Sequence, residues 1–269
     1  MPVQSLQRWL GETRHRLRGG DRTAAQDRLD QALTSWPHDI AAWALQGIVW
    51  RLGETPEARA RARWLHEQSG LVQMRKLEAP PDLIDRARAT MTRLHGAAGM
   101  PLSQSLRGGS QTRGTLFHRS DPDLEALHEA ILSTLEAYRK ELPEADAGHP
   151  LLTSRDEPWR LAGSWSVRLS GGGDHHAAHI HPSGLISSAL YISVPTSDPS
   201  DQPGWLELGR PPSDLGLDLE PLATLEPKEG HLALFPSTLY HGTRPFETPS
   251  SEARRMTVAF DVITKAHMT

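Results

Sequence analysis

The residues of this chain best suited to chemistry are His179-Ile180-His181-Pro182, then His241, then Arg255. Two histidines at i and i+2 of an extended segment project from the same face. Pro182 ends that segment and places the pair at a strand end. His241 follows Leu232-Ala233-Leu234-Phe235-Pro236, an apolar run that reads as a strand, so it also arrives just past a strand end. Three imidazoles from two neighbouring strands can hold one metal ion by a single face and leave positions open for reactants. The chain has no cysteine, which removes disulfides and thiolate ligands from consideration. Imidazole suits iron, zinc, copper or nickel, and a facial set without a soft ligand favours Fe(II). A His-x-His pair alone is weak, the plain alternative being two surface histidines beside a turn. The third histidine and the arginine strengthen the metal reading.

Arg255 opens the run Arg255-Met256-Thr257-Val258-Ala259-Phe260-Asp261. On a strand Arg255, Thr257 and Ala259 share one face, while Met256, Val258 and Phe260 share the other. If the apolar set packs outward, Arg255 and the Thr257 hydroxyl point inward. A buried arginine needs a carboxylate, either a ligand's or a side chain's. Asp261 and Glu207 are the candidate protein partners. Arg254 faces the opposite way and is expected at solvent. Tyr191 lies on the strand after the histidine pair. It is either a phenol for the same ligand carboxylate or a packed core tyrosine. His175 and His176 read as residues of the site's mouth.

The elements that must position these groups change character along the chain. From Trp159 the hydrophobic period is two, with strands expected over Trp165–Leu169, Ile186–Val194, Trp205–Leu208, Gly230–Phe235 and Arg255–Ile263, and a first strand over 110–118. Thr196–Pro203 reads as a polar loop. Leu83, Ile84 and Ala87 suggest a short helix after Pro80-Pro81. A longer helix is expected over 122–141. There Asp121 serves as N-cap, Pro122 stands at the first helical position, and Leu124, Leu127, Ile131, Leu135 and Tyr138 form the stripe. Many short strands with turn signals point to a sandwich or barrel, and a cupin-type jelly roll fits the order. The fold class expected is α+β, helical over residues 1–75 and dominated by strands over 76–269.

Residues 1–75 repeat weakly. Trp9 and Trp43 lie 34 residues apart, as do Ala24 and Ala58. Trp43, Gly47 and Trp50 followed by small residues and Pro56 resemble the tetratricopeptide (TPR) pattern, whose period is about 34 residues. At most two repeats fit, so the segment is expected to pack against the rest of the chain. It is either a docking surface for a peptide or protein substrate or a plain cap on the core. A net charge of −4 and the lack of a basic stretch with aromatics argue against nucleic acid. No run of about 18 apolar residues argues for a membrane span, and the N-terminal sequence lacks a signal peptide's pattern. A cytoplasmic protein of unspecified oligomeric state is the expectation.

From about Trp159 to Ile263 the chain resembles the Fe(II)/2-oxoglutarate-dependent dioxygenase superfamily, and within it a bacterial 2OG-Fe(II) oxygenase group. The resemblance rests on Gly172-Gly173, His179-x-His181-Pro182, Ser187-x-x-Leu190-Tyr191-x-x-Val194-Pro195 and Gly204-x-Leu206. It continues in Pro227-x-x-Gly230-x-Leu232-x-Leu234-Phe235-Pro236-Ser237, His241, and Arg255-x-Thr257-x-Ala259-Phe260. It implies a double-stranded β-helix. His179 matches the first iron ligand and His241 the distal histidine. Arg255 matches the clamp on the far carboxylate of 2-oxoglutarate, with Tyr191 and Thr257 beside it. The activity implied is hydroxylation with O2 as co-substrate and release of succinate and CO2. One position departs: the usual second ligand is Asp or Glu, and here it is His181. This leaves three readings. His181 ligates as a third imidazole of a 2-oxoglutarate enzyme. Or the protein is a three-histidine dioxygenase that needs no keto acid. Or His181 does not ligate, and a water or a carboxylate such as Asp174 completes the site. A non-catalytic interaction module with a metal-binding barrel is the alternative of another class.

Overall fold

The computed structural model describes residues 3–101, 105–195, 202–246 and 254–264. Four helices lead the chain: α1 (Val3–Arg18), α2 (Arg22–Ser35), α3 (Ile40–Arg51) and α4 (Pro56–His66). Each of the last three starts on a side-chain cap. Asp21, Asp39 and Thr55 accept the N–H groups of Ala24, Ala42 and Ala58, satisfying donors a helix start otherwise leaves orphaned. Ala24 and Ala58 thus hold equivalent places in α2 and α4, which is where the 34-residue echo comes from. The apolar face of these helices is occupied. Leu10, Leu29, Leu45 and Ile48 cluster with Leu215 and Tyr240 of the β-rich part. Arg14 anchors the same contact, donating to Asp214 at 2.6 Å and to the Tyr240 hydroxyl at 3.2 Å.

The remaining elements are β1 (Gln73–Lys76), α5 (Leu83–His95), β2 (Leu106–Arg107), β3 (Ser110–Gln111), α6 (Pro122–Glu141), β4 (Arg160–Leu169) and β5 (His175–His176). They continue with β6 (Ile186–Ser193), β7 (Leu206–Leu208), β8 (Ala223–Leu225), β9 (His231–Pro236), β10 (His241–Thr243) and β11 (Arg255–Ile263). A six-stranded antiparallel sheet runs β1-β9-β6-β11-β4-β3, and a smaller antiparallel sheet runs β10-β7-β8. β2 pairs with β5.

The period-two pattern sorts side chains between layers. Met256, Val258, Phe260 and Val262 of β11 pack outward with Leu124, Leu127, Ile131 and Tyr138 of α6 and with Leu83 and Met91 of α5. On the inner face Tyr191, Ala233 and Phe235 meet Leu206 and Leu208 of the smaller sheet. The two sheets therefore face each other, and helices cover the larger one. This is an α+β jelly roll, the double-stranded β-helix. α6 has the bounds its pattern predicts, with Asp121 Oδ1 accepting the N–H groups of Asp123 at 3.0 Å and Leu124 at 3.3 Å.

Three expectations require correction. The strand over 110–118 is confined to Ser110–Gln111. Gly114 at φ 70° turns the chain away, and Leu116–His118 form a 3-10 turn. β1 has no alternating apolar signal, yet it adds an edge to β9, so a division at residue 75 falls inside a strand of the main sheet. His179–His181 do not lie on a continuous strand. The chain leaves β5 after His176 and returns for a single bridge between His179 and His241. Pro182 has no N–H with which to carry pairing further. Of the expected loop at Thr196–Pro203, residues 196–201 lie outside the described residues.

Candidate metal centre

The bridge explains how the three histidines meet. His179 and His241 exchange both backbone hydrogen bonds at 2.9 Å, which makes them a directly opposed antiparallel pair with side chains on one face. His181, two residues on, returns to the same side. Gly242 permits the close approach, since a Cβ there would lie 2.7 Å from the carbonyl oxygen of His176. The ligand atoms of His179, His181 and His241 all lie within 4.8 Å of one another. The His179 and His241 rings are 4.2 Å apart, and His181 lies 5.1 and 5.0 Å from them.

Each ring is held by its other nitrogen. Nδ1 of His179 faces the Ala177 carbonyl at 2.9 Å, and Nδ1 of His241 faces the Leu239 carbonyl at 3.1 Å. Nδ1 of His181 faces the Asp261 carboxylate. The acceptors place Nδ1–H on each ring, and the neutral His179 and His241 rings then present lone pairs at Nε2. Nε2 of His179 and Nε2 of His181 are 3.1 Å apart. Burial moves the His179 imidazole down to about 4. Burial, with His179 and His181 close by, holds His241 well below the ordinary range. The His179 and His241 rings are therefore neutral near pH 7, as ligands must be. Three ring nitrogens that converge this closely suit a cation, so the residues fit a metal ion.

Arg255 and Thr257 line the same cavity, as predicted from their shared face. Arg255 is 3% exposed, and no carboxylate pairs with it among the described residues. Glu207 is taken by Arg210 at 2.7 Å and Arg244 at 3.0 Å, and Asp261 by His181. Tyr191 lies beneath the guanidinium, with its ring 5.1 Å away. Among the described residues, its hydroxyl and Nε of Arg255 are buried without a hydrogen-bond partner. Burial depresses the Arg255 pKa and raises that of Tyr191. A buried cation and a buried phenol side by side suit an anion.

The cavity is about 640 Å³. Its floor carries Val167, Leu206, Phe235, His241, Arg255 and Thr257, all buried, and its rim carries exposed Arg107, Pro182 and Ser183. His176 lines it too, its ring stacked 5.7 Å from His179, whereas His175 hydrogen-bonds the Gly173 carbonyl at 2.8 Å. Asp174 is not among the lining residues; its carboxylate accepts the Ser170 N–H at 2.8 Å. Sequence reasoning missed Trp165 and named Asp261 only as a partner for Arg255. Trp165 lies 5.4 Å from the His181 ring. Asp261 continues the alternation Arg255, Thr257, Ala259, the signal that places it in the cavity.

Residues 163–261 match the family model described as "Putative 2OG-Fe(II) oxygenase". No protein of curated function matches by sequence. Among solved structures, a prolyl hydroxylase from Trichoplax adhaerens, in complex with a hypoxia inducible factor peptide fragment, is similar at TM-score 0.50 and 14% identity. The match covers 74% of this chain and 86% of that one. HygX from Streptomyces hygroscopicus, with nickel and 2-oxoglutarate bound, is similar at TM-score 0.50 and 14% identity, over 79% and 88% of the two chains. The α-ketoglutarate-dependent epimerase SnoN from nogalamycin biosynthesis is similar at TM-score 0.52 and 12% identity, over 78% and 84%. At these identities the likeness is one of fold.

Proposed function

We propose, because residues 163–261 match the family model of 2OG-Fe(II) oxygenases, enzymes that work with iron and 2-oxoglutarate, that His179, His181 and His241 hold Fe(II) through Nε2. We propose further that Arg255 binds the far carboxylate of 2-oxoglutarate. The observation that carries this is the three-way convergence of ring nitrogens, each ring fixed by an acceptor at Nδ1. Bound iron and 2-oxoglutarate supply activation of O2, with the keto acid oxidised to succinate and CO2 and one oxygen atom passed to a substrate C–H.

The chain's own residues bind and orient. Arg255 offers a charged fork in a buried place where an anion is worth most. The Tyr191 phenol is set beside that fork, ready to donate to the same carboxylate. The Thr257 hydroxyl stands on the same face. Leu206, Phe235 and Val167 keep the floor dry. The open rim fits a side chain presented on a peptide or protein, our reading of the substrate class. An uncompensated buried Arg255 favours a keto acid over keto-acid-independent dioxygenase chemistry, which gives that residue no task. The test is consumption of 2-oxoglutarate in air with a peptide library, reading succinate by mass spectrometry. The reading predicts Fe(II)-dependent succinate, abolished in His241→Ala and in Arg255→Met. Oxygen uptake that needs no keto acid and survives Arg255→Met contradicts it.

A further inference from the structure

Two of the three imidazoles hand Nδ1–H to neutral backbone carbonyls, but His181 hands it to a carboxylate. β11 pairs with β4 in regular register from Arg255 to Asp261, and the extra residue of the irregularity that follows is Ala162 on β4. Asp261 therefore keeps the alternation of β11 and stays on the cavity face with Arg255, Thr257 and Ala259. The residues facing Asp261 across the sheet are small, Gly163 on β4 and Ser187 on β6. Gly184 leaves room behind, since a Cβ there would come within 3.2 Å of the Asp261 Cβ. No other ion pair involves Asp261 among the described residues.

We propose that Asp261 is a positioning residue of the metal centre: it locks the His181 ring with Nε2 turned inward and supplies the negative charge that three neutral imidazoles lack. The proposal rests on His181 being a ligand. A carboxylate that accepts from a ligating imidazole fixes its tautomer and raises its basicity. One strand then frames the whole site, with Arg255 at one end for the keto acid and Asp261 at the other for the metal.

The test is anaerobic titration of Co(II), followed by its visible ligand-field bands, in wild type, Asp261→Asn, Asp261→Ala, His181→Ala, His181→Asp and His181→Asp/Asp261→Asn. Asp261→Ala is expected to weaken binding by about 10- to 100-fold, the range for such outer partners. Asp261→Asn keeps an acceptor of the same shape without the charge, so its loss is smaller and its bands shift. In the His181→Asp background the ligand carries its own charge, and adding Asp261→Asn costs nothing further. A merely structural Asp261 would weaken both backgrounds alike, which overturns the proposal. Wild-type affinity and bands in both Asp261 variants, with binding lost in His181→Ala, overturn it and leave His181 as ligand. Wild-type affinity in His181→Ala overturns the ligand reading and the proposal with it.

Discussion

Replacing Arg255 by methionine should have opposite effects with and without 2-oxoglutarate. In the protein alone, Arg255 is a cation that is 3% exposed, with Nε unsatisfied and no carboxylate among its described neighbours. A buried ion without a partner costs several kcal/mol after relaxation. The Tyr191 ring, 5.1 Å from the guanidinium, returns about 1–2 kcal/mol. Methionine has similar bulk and no charge, so the ligand-free variant should melt at or above the wild-type temperature. With 2-oxoglutarate present the sign reverses. Removing one member of a buried charge pair costs about 3–5 kcal/mol, roughly two to three and a half powers of ten in Kd at about 1.4 kcal/mol each. The assay is thermal melting with redox-inert Mn(II), with and without 2-oxoglutarate. At a ligand concentration of about 100 times Kd, wild type gains about 2.7 kcal/mol, roughly 5 °C for a chain of this size. Arg255→Met should gain almost nothing at the same concentration. A full ligand-induced shift in the variant refutes the clamp. A ligand-free variant that melts well below wild type refutes the claim that the charge is uncompensated.

Other outcomes concern the scaffold. Gly47→Ala should destabilise by about 1 kcal/mol net, because a Cβ would lie 2.5 Å from Cε1 of His66 and the crowding outweighs the roughly 1 kcal/mol gain in helix propensity; chemical denaturation reads it, and a more stable variant contradicts it. Tyr138→Phe should cost about 1–3 kcal/mol by orphaning the Leu71 carbonyl, which the buried Tyr138 hydroxyl meets at 2.7 Å; an unchanged urea midpoint contradicts it. Burial holds His66 at about 3 and His149 at about 4. Both are therefore neutral when folded but take up protons when unfolded below about pH 6.5. Stability should be full above that pH and fall toward pH 4, by about 1.4 kcal/mol per unit for each histidine. Urea midpoints between pH 7 and 5 check this, and a flat profile counts against it.

The legible parts of this fold are those whose periodicity is enforced by two neighbours. β11 alternates between helices on one side and the cavity on the other, so Met256, Val258 and Phe260 separate cleanly from Arg255, Thr257 and Ala259. α6 carries both its cap and its stripe. β1 was illegible because Gln73-Met74-Arg75-Lys76 is an edge strand, half-exposed and without alternation. The stretch over 110–118 looks extended but lacks a second partner beyond Gln111. At the site, residue types and spacing revealed the three histidines and Arg255. The single bridge between His179 and His241 is a tertiary fact that no local pattern carries. Asp261 had the parity of a cavity residue, yet its partner is His181 and not Arg255. The covering of the helical segment's apolar face by Leu215 and Tyr240 was not legible in the sequence.

The central claim is that one metal ion, held by His179, His181 and His241, shares its site with 2-oxoglutarate. Anaerobic addition of Fe(II) and 2-oxoglutarate, followed by the visible charge-transfer absorption of an iron-chelated keto acid, tests it most directly. The account predicts a band that saturates at one iron per chain and is absent in His179→Ala and His241→Ala. No band in wild type, or an undiminished band in His241→Ala, contradicts it.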